Sequence, residues 1–143
     1  ITMILSGLQL FQPIQMNLLL DTHVILWAAY EPHRLSSKAT ELLMDQNNSL
    51  HFSVASLWEV AIKSSLGRPD FTVDVDALRV GLLSNGYAEL AIEASHVLRL
   101  PTFQSIHADP FDRILVAQAM AEGYALLSHD TKVIAYGGPV WAV

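Results

Sequence analysis

From Met16 onward, short apolar runs alternate with stretches long enough for helices, and this alternation constrains the fold more than any other feature of the chain. Leu18–Leu20 reads as a buried strand. Val24–Tyr30 has helical character, and Pro32 stops it. Ser36 or Ser37 caps a helix reaching about Gln46, with Leu42 and Leu43 turned inward. His51–Ser53 is the next strand. Ala55–Leu66 is a helix closed by Gly67, with Trp58, Ala61 and Ile62 on one face read as core or interface. Asp74–Ser84 carries Leu78 and Leu82 at i,i+4 and precedes Gly86. Leu90–Ile92 reads as a strand and Glu93–Leu98 as a short helix ahead of Pro101. Asp109 is an N-cap with Pro110 at the first helical position, opening a helix over Phe111–Glu122 that ends at Gly123. Tyr124–Leu127 and Val140–Val143 complete the strands. Such alternation, joined by right-handed crossovers, predicts an α/β fold: one domain with a mainly parallel sheet of about four or five strands and helices on both faces.

Composition supports a single folded unit. The 143 residues are 52% hydrophobic and 15% charged, which excludes disorder and supplies one sizeable core. There is no cysteine, hence no disulfide, thiolate zinc site or cysteine nucleophile. The uncharged stretch Ile1–Leu20 is broken by Gly7 and Pro13, whereas a membrane span needs ~20 predominantly apolar residues. It also lacks the basic start and small-residue cleavage site of a signal peptide, so the expectation is a cytoplasmic chain without membrane contact. Met16 reads as a natural start, making residues 16–143 the domain. Residues 1–15 are then a cloning-derived addition, an upstream start read through, or an apolar arm packed on a neighbouring subunit.

Net charge is −6, with 14 acidic against 8 basic residues, and this balance argues against a nucleic-acid partner unless carboxylates gather around divalent cations. Their positions are therefore decisive. In parallel α/β sheets, sites form beyond the carboxyl ends of the strands. Asp21 follows the first strand directly; Asp130 comes shortly after Leu127; Glu59 lies one turn into the helix after His51–Ser53; Asp112 lies in the first turn of the helix capped by Asp109. Gathered without cations, these groups would raise one another's pKa values. Mg²⁺ and Mn²⁺ favour such oxygen-rich surroundings. Each acid also has an ordinary role available: a turn for Asp21, an i,i+4 pair with Lys63 for Glu59, a helix-dipole partner for Asp112, a cap for Asp130.

The order of the motifs adds a resemblance. Leu18-Leu-Leu-Asp-Thr-His-Val-Ile-Leu-Trp27, Ser53-Val-Ala-Ser-Leu-Trp-Glu-Val-Ala-Ile-Lys63, His107-Ala-Asp-Pro-Phe-Asp-Arg-Ile-Leu-Val-Ala-Gln-Ala119 and Leu127-Ser-His-Asp130 with Tyr136 resemble, in order and spacing, the motifs of the PIN domain family. The run is similar to VapC-type toxins of the branch carrying LDTH, SLWE and DPFDR, and the likeness covers Met16 to Val143. It implies a Mg²⁺- or Mn²⁺-dependent ribonuclease of a type II toxin–antitoxin pair, with Asp21, Glu59, Asp112 and Asp130 as metal-binding catalytic acids. It further implies a cognate antitoxin whose tail covers the cleft, and a homodimer. Thr22, Asp109, Arg113 and Ser128 adjoin the acids as candidate supporting residues. Pro101–His107 is longer than the family pattern, which points to an altered loop beside the cleft. The RNA substrate, single-stranded or structured, is not legible.

Other chemistries fit less well. A haloacid-dehalogenase-type phosphatase needs a second aspartate where His23 stands, a receiver domain needs an acidic pair before its acceptor, and no GxxxxGK loop is present. A catalytically silent PIN-fold binding module is the remaining alternative. His23, His107 and His129 read as structural hydrogen-bonding groups rather than ligands, because these cations favour oxygen. Trp27 and Trp58 offer base stacking but sit at helical apolar positions.

Overall fold

The triplet Leu18, Leu19 and Leu20 is fully buried, as a strand covered on both faces requires. It belongs to β1 (Asn17–Leu20), the middle strand of a five-stranded sheet. The structure is a computed structural model that describes residues 15–103 and 109–143. The readings made for residues 1–14, for the lengthened loop at 104–108 and for His107 lie outside the described residues. Among those described, the chain continues through α1 (Thr22–Tyr30), a 3-10 turn at Pro32–Arg34, α2 (Ser37–Met44), β2 (Ser49–Ser53) and α3 (Val54–Ser65). Next come α4 (Val75–Ser84), β3 (Ala88–Leu90), α5 (Ala94–Val97) and a second 3-10 turn at Leu100–Thr102. The described elements end with α6 (Pro110–Glu122), β4 (Ala125–Ser128), α7 (Thr131–Ile134) and β5 (Val140–Ala142).

Every strand pairing is parallel and the spatial order is β3-β2-β1-β4-β5. The chain thus builds outward from β1 on one side, then crosses back to place β4 on the other. Between β1 and β4 the direction of winding reverses, and the crevice beyond their carboxyl ends is where such sheets accept ligands.

The pleat divides the core into two layers. Leu19 and Leu126 face α6 and α7, packing with Ile114, Leu115, Val116, Ala117, Ala119 and Val133. Leu20 and Phe52 face the opposite way, onto Val24 and Ile25 of α1, Val60 of α3, and Leu78 and Leu82 of α4. Helices therefore cover both faces, as the alternating pattern predicts. Among the described residues no helix is long and apolar enough to cross a membrane.

Candidate active site

Asp21 is carried into the crevice by the sheet itself. Its main-chain N–H donates to the Leu127 carbonyl (3.0 Å), extending the β1–β4 pairing one residue beyond the strand. Although Asp21 occupies the N-cap position of α1, its side chain makes no capping bond. Instead Oδ2 accepts a 2.5 Å hydrogen bond from Ser128 Oγ at the end of β4. The same Ser128 oxygen accepts the Asp130 N–H (3.1 Å), so one hydroxyl orients both acids flanking the crevice. Asp21 is 2% exposed, and burial raises its carboxyl pKa. The Ser128 bond and the nearby His23 oppose that rise, and the field of Glu59 adds to it.

Glu59 enters from α3, whose start is fixed by Ser53 accepting the Ala55 N–H (3.0 Å) immediately after β2. With no loop between strand and helix, the buried stripe is Ala55, Ser56, Glu59 and Val60. Trp58, Ala61 and Ile62 do share a face, but it is the solvent-facing one and not the core. Glu59 is 6% exposed. Its Oε2 accepts from Lys63 Nζ (2.9 Å), the i,i+4 pair anticipated from spacing. Oε1 is buried and has no hydrogen-bond partner in the structure.

Asp112 and Asp130 come from two further helix starts. Asp109 caps α6, its Oδ1 accepting the N–H groups of Phe111 (2.9 Å) and Asp112 (3.3 Å), with Pro110 at the first position. That cap sets where Asp112 emerges. The Asp112 pKa is pushed up to about 8, mainly by burial and then by the fields of Asp21, Asp109, Glu59 and Asp130. Asp130 caps α7, its Oδ1 accepting the Lys132 N–H (2.8 Å). The acids thus share one electrostatic field, but among the described residues no three His, Asp or Glu side chains close into a ready-made cation cage.

Of the supporting candidates, Ser128 bonds a site carboxylate directly, whereas Thr22 donates to Ser56 Oγ (2.9 Å) and pins α1 to α3 beneath the site. Among the described residues Arg113 forms no ion pair with a carboxylate. Its guanidinium donates to the Leu100 carbonyl (3.1 Å) and lies 6.0 Å from the Phe103 ring, tying the second 3-10 turn to α6. His129 donates through Nδ1 to the Val143 carbonyl (2.9 Å) and packs edge-on against Trp27, a structural role. Ser56 escaped the sequence reading, although it lies three residues before Glu59 on the same helical stripe. The carboxylates gathered in this field, Glu59 with its orphaned Oε1 among them, offer oxygen donors, and this chemistry fits a hard divalent cation.

The PIN domain family model matches residues 18–138, most of the chain. The chain belongs to the PIN domain family. A curated relative, Ribonuclease VapC22 of Mycobacterium tuberculosis, is 27% identical over 126 residues, spanning 86% of this chain and 94% of the relative. Among solved structures, VapBC2 from Rickettsia felis bound to a DNA fragment from their promoter matches with a TM-score of 0.64 at 15% identity. That alignment covers 90% of this chain and 98% of the other. A toxin–antitoxin complex from Klebsiella pneumoniae matches with a TM-score of 0.58 at 16% identity, over 87% of this chain and 98% of the other. In this PIN domain the acids sit at the β1–β4 reversal, where the fold presents strand ends.

Proposed function

We propose that this PIN domain is an endoribonuclease that hydrolyses RNA phosphodiester bonds with Mg²⁺ or Mn²⁺, acting in the cytoplasm as the toxin of a type II toxin–antitoxin pair. The observation that carries the reading is Asp112, whose carboxyl pKa is raised to about 8 by burial among the fields of Asp21, Asp109, Glu59 and Asp130. Acids forced together at such electrostatic cost mark a functional centre, and a divalent charge reverses their mutual repulsion. The resemblance to Ribonuclease VapC22 supports RNA as the substrate.

Asp21 and Asp112 would hold the principal ion, with Glu59 through Oε1 and with Asp130 completing the set. A bound divalent cation supplies an acidified water, a neutralised phosphate and a stabilised leaving oxygen. The protein's own contributions are positional. Ser128 orients Asp21 and the backbone of Asp130, the Asp109 cap fixes the emergence of Asp112, and Lys63 occupies Glu59 Oε2 so that Oε1 is left for the site. Burial and the neighbouring acids favour the protonated form of Asp112, and a bound divalent cation would favour its carboxylate instead.

A cognate antitoxin is the proposed protein partner, supported by the shared fold with toxin–antitoxin complexes. An arginine-bearing tail suits an acidic crevice because guanidinium pairs bidentately with carboxylate. Full nuclease activity in excess antitoxin would refute that partnership. A homodimer completes the proposal and is tested by light scattering.

The enzymatic reading is tested by cleavage of an end-labelled RNA pool by wild type and by Asp112→Asn, each with Mn²⁺ and with EDTA. Cleavage only by wild type with metal is expected. Equal cleavage by the variant would sink the site assignment, and no cleavage by either across a broad pool would favour the silent binding module.

A further inference from the structure

The largest aromatic side chain of α3 faces solvent beside the acids. Trp58 is 57% exposed, although its neighbour in sequence, Glu59, is buried. Its indole packs edge-to-face on Phe111, with ring centroids 5.0 Å apart and planes at 83°. Phe111 is the residue before Asp112. An edge-to-face pair leaves at least one face of the indole uncovered by its partner, and it also fixes the ring's orientation. Lys63, one turn beyond Glu59, is bonded to that acid yet keeps its side chain 43% exposed. An oriented open indole and the buried carboxylate of Glu59 therefore lie on one helix, and the indole's aromatic partner precedes Asp112.

We propose that Trp58 is a stacking platform for an unpaired nucleotide next to the bond to be cut. The inference rests on the ribonuclease reading and deepens it. A protein surface would favour Trp58 for its apolar area alone, whereas this ring stands within one residue of one site acid and packs against the neighbour of another. A nucleotide seated there needs an aromatic face for its base, and the exposed indole, held by Phe111, offers one. Base stacking of this kind tolerates any base, so Trp58 would select for strand state more than for sequence. A base-paired nucleotide already has its faces covered and gains nothing from the platform.

The test compares wild type, Trp58→Phe and Trp58→Leu on a labelled single-stranded RNA pool in Mn²⁺, and on the same pool annealed to its complement. Trp58 is exposed, so both variants should fold, which circular dichroism checks. The expected result is preferential cleavage of single strands by wild type, an approximately ten-fold loss with Trp58→Leu, and substantial retention with Trp58→Phe, since only an aromatic ring stacks. Wild-type activity in Trp58→Leu overturns the platform and leaves the ribonuclease reading standing. So does an equal loss in both variants, or a Trp58→Leu variant that cleaves normally but escapes inhibition by purified antitoxin, which would make the surface a protein contact. A wild type that cleaves neither form overturns the ribonuclease reading and this inference with it.

Discussion

Asp112 is held under strong electrostatic tension, and its consequences run in opposite directions for stability and for activity. Its folded pKa, about 8, lies well above its ordinary 3.8, so the folded protein binds a proton that the unfolded chain releases. Stability must then fall as pH rises from about 4 towards 8 and level off above that. Asp112→Asn removes the ionisable group. In EDTA the variant should melt higher than wild type, with a gap that widens by on the order of a few kcal/mol as pH approaches 8; scanning calorimetry across that range checks it. Saturating Mn²⁺ should narrow that gap, stabilising wild type by roughly 1–3 kcal/mol and leaving the variant unmoved. Cleavage by the same variant should drop at least about a hundred-fold if the acid supports charge development on phosphate. Ser128→Ala is a milder probe: it deprives Asp21 of its 2.5 Å donor and the Asp130 N–H of its acceptor, both buried or nearly so. Loss of roughly 1–3 kcal/mol in chemical denaturation and a further rise in the Asp21 pKa, measured by NMR titration, are the expected outcomes.

At the scale of elements, α5 and α6 are joined by a residue that hydrophobic periodicity does not flag. His96 is fully buried; its Nδ1 accepts the Glu93 N–H (3.0 Å), and its Nε2 bonds Glu122 Oε1 (2.9 Å). His96→Ala should cost roughly 3 kcal/mol by combining a cavity with two orphaned polar groups, while leaving turnover per folded molecule unchanged; denaturation and active-site titration separate these effects. The elements legible in the sequence are those punctuated by chemistry. Asp109, Pro110 and Gly123 bracket α6, and Gly123 takes the left-handed conformation (φ 71°) that a helix terminus of this kind requires. Less legible are elements whose partners lie elsewhere. The apolar run Leu90–Ile92 places β3 two residues late, because the strand that pairs is Ala88–Leu90 at an edge, with Glu89 bonded to Arg79 (2.6 Å). Four-residue α7 reads as a turn because it is too short to show a period. Trp58 reads as core or interface from its helical apolar position, whereas the phase of α3 is set by the cap at Ser53 and by burial of Glu59, which leaves the indole exposed. Strand exits place the four acids in one region from sequence alone, but the Ser128–Asp21 bond needs knowledge that β4 lies beside β1.

For the whole molecule, a net charge of −6 limits how RNA can be held. With few basic groups available, the protein should neutralise only about two or three phosphates, so affinity for single strands should fall by roughly ten-fold between about 50 and 200 mM salt rather than by several orders of magnitude. Fluorescence anisotropy over that range measures the slope. Removing divalent metal should abolish binding as well as cleavage, because the acidic crevice then repels the strand; retained affinity in EDTA would show that RNA is held elsewhere. The topology has a temporal consequence as well. Asp21 and Ser128 are separated by 107 positions, and β4 occupies its place beside β1 only after β2 and β3 have been laid down on the other side. On the ribosome, a growing chain has Asp21 and Glu59 outside the exit tunnel long before Ser128 and Asp130 emerge. The proposed centre can therefore be complete only after Ser128 and Asp130 have been synthesised, late in the growth of the chain.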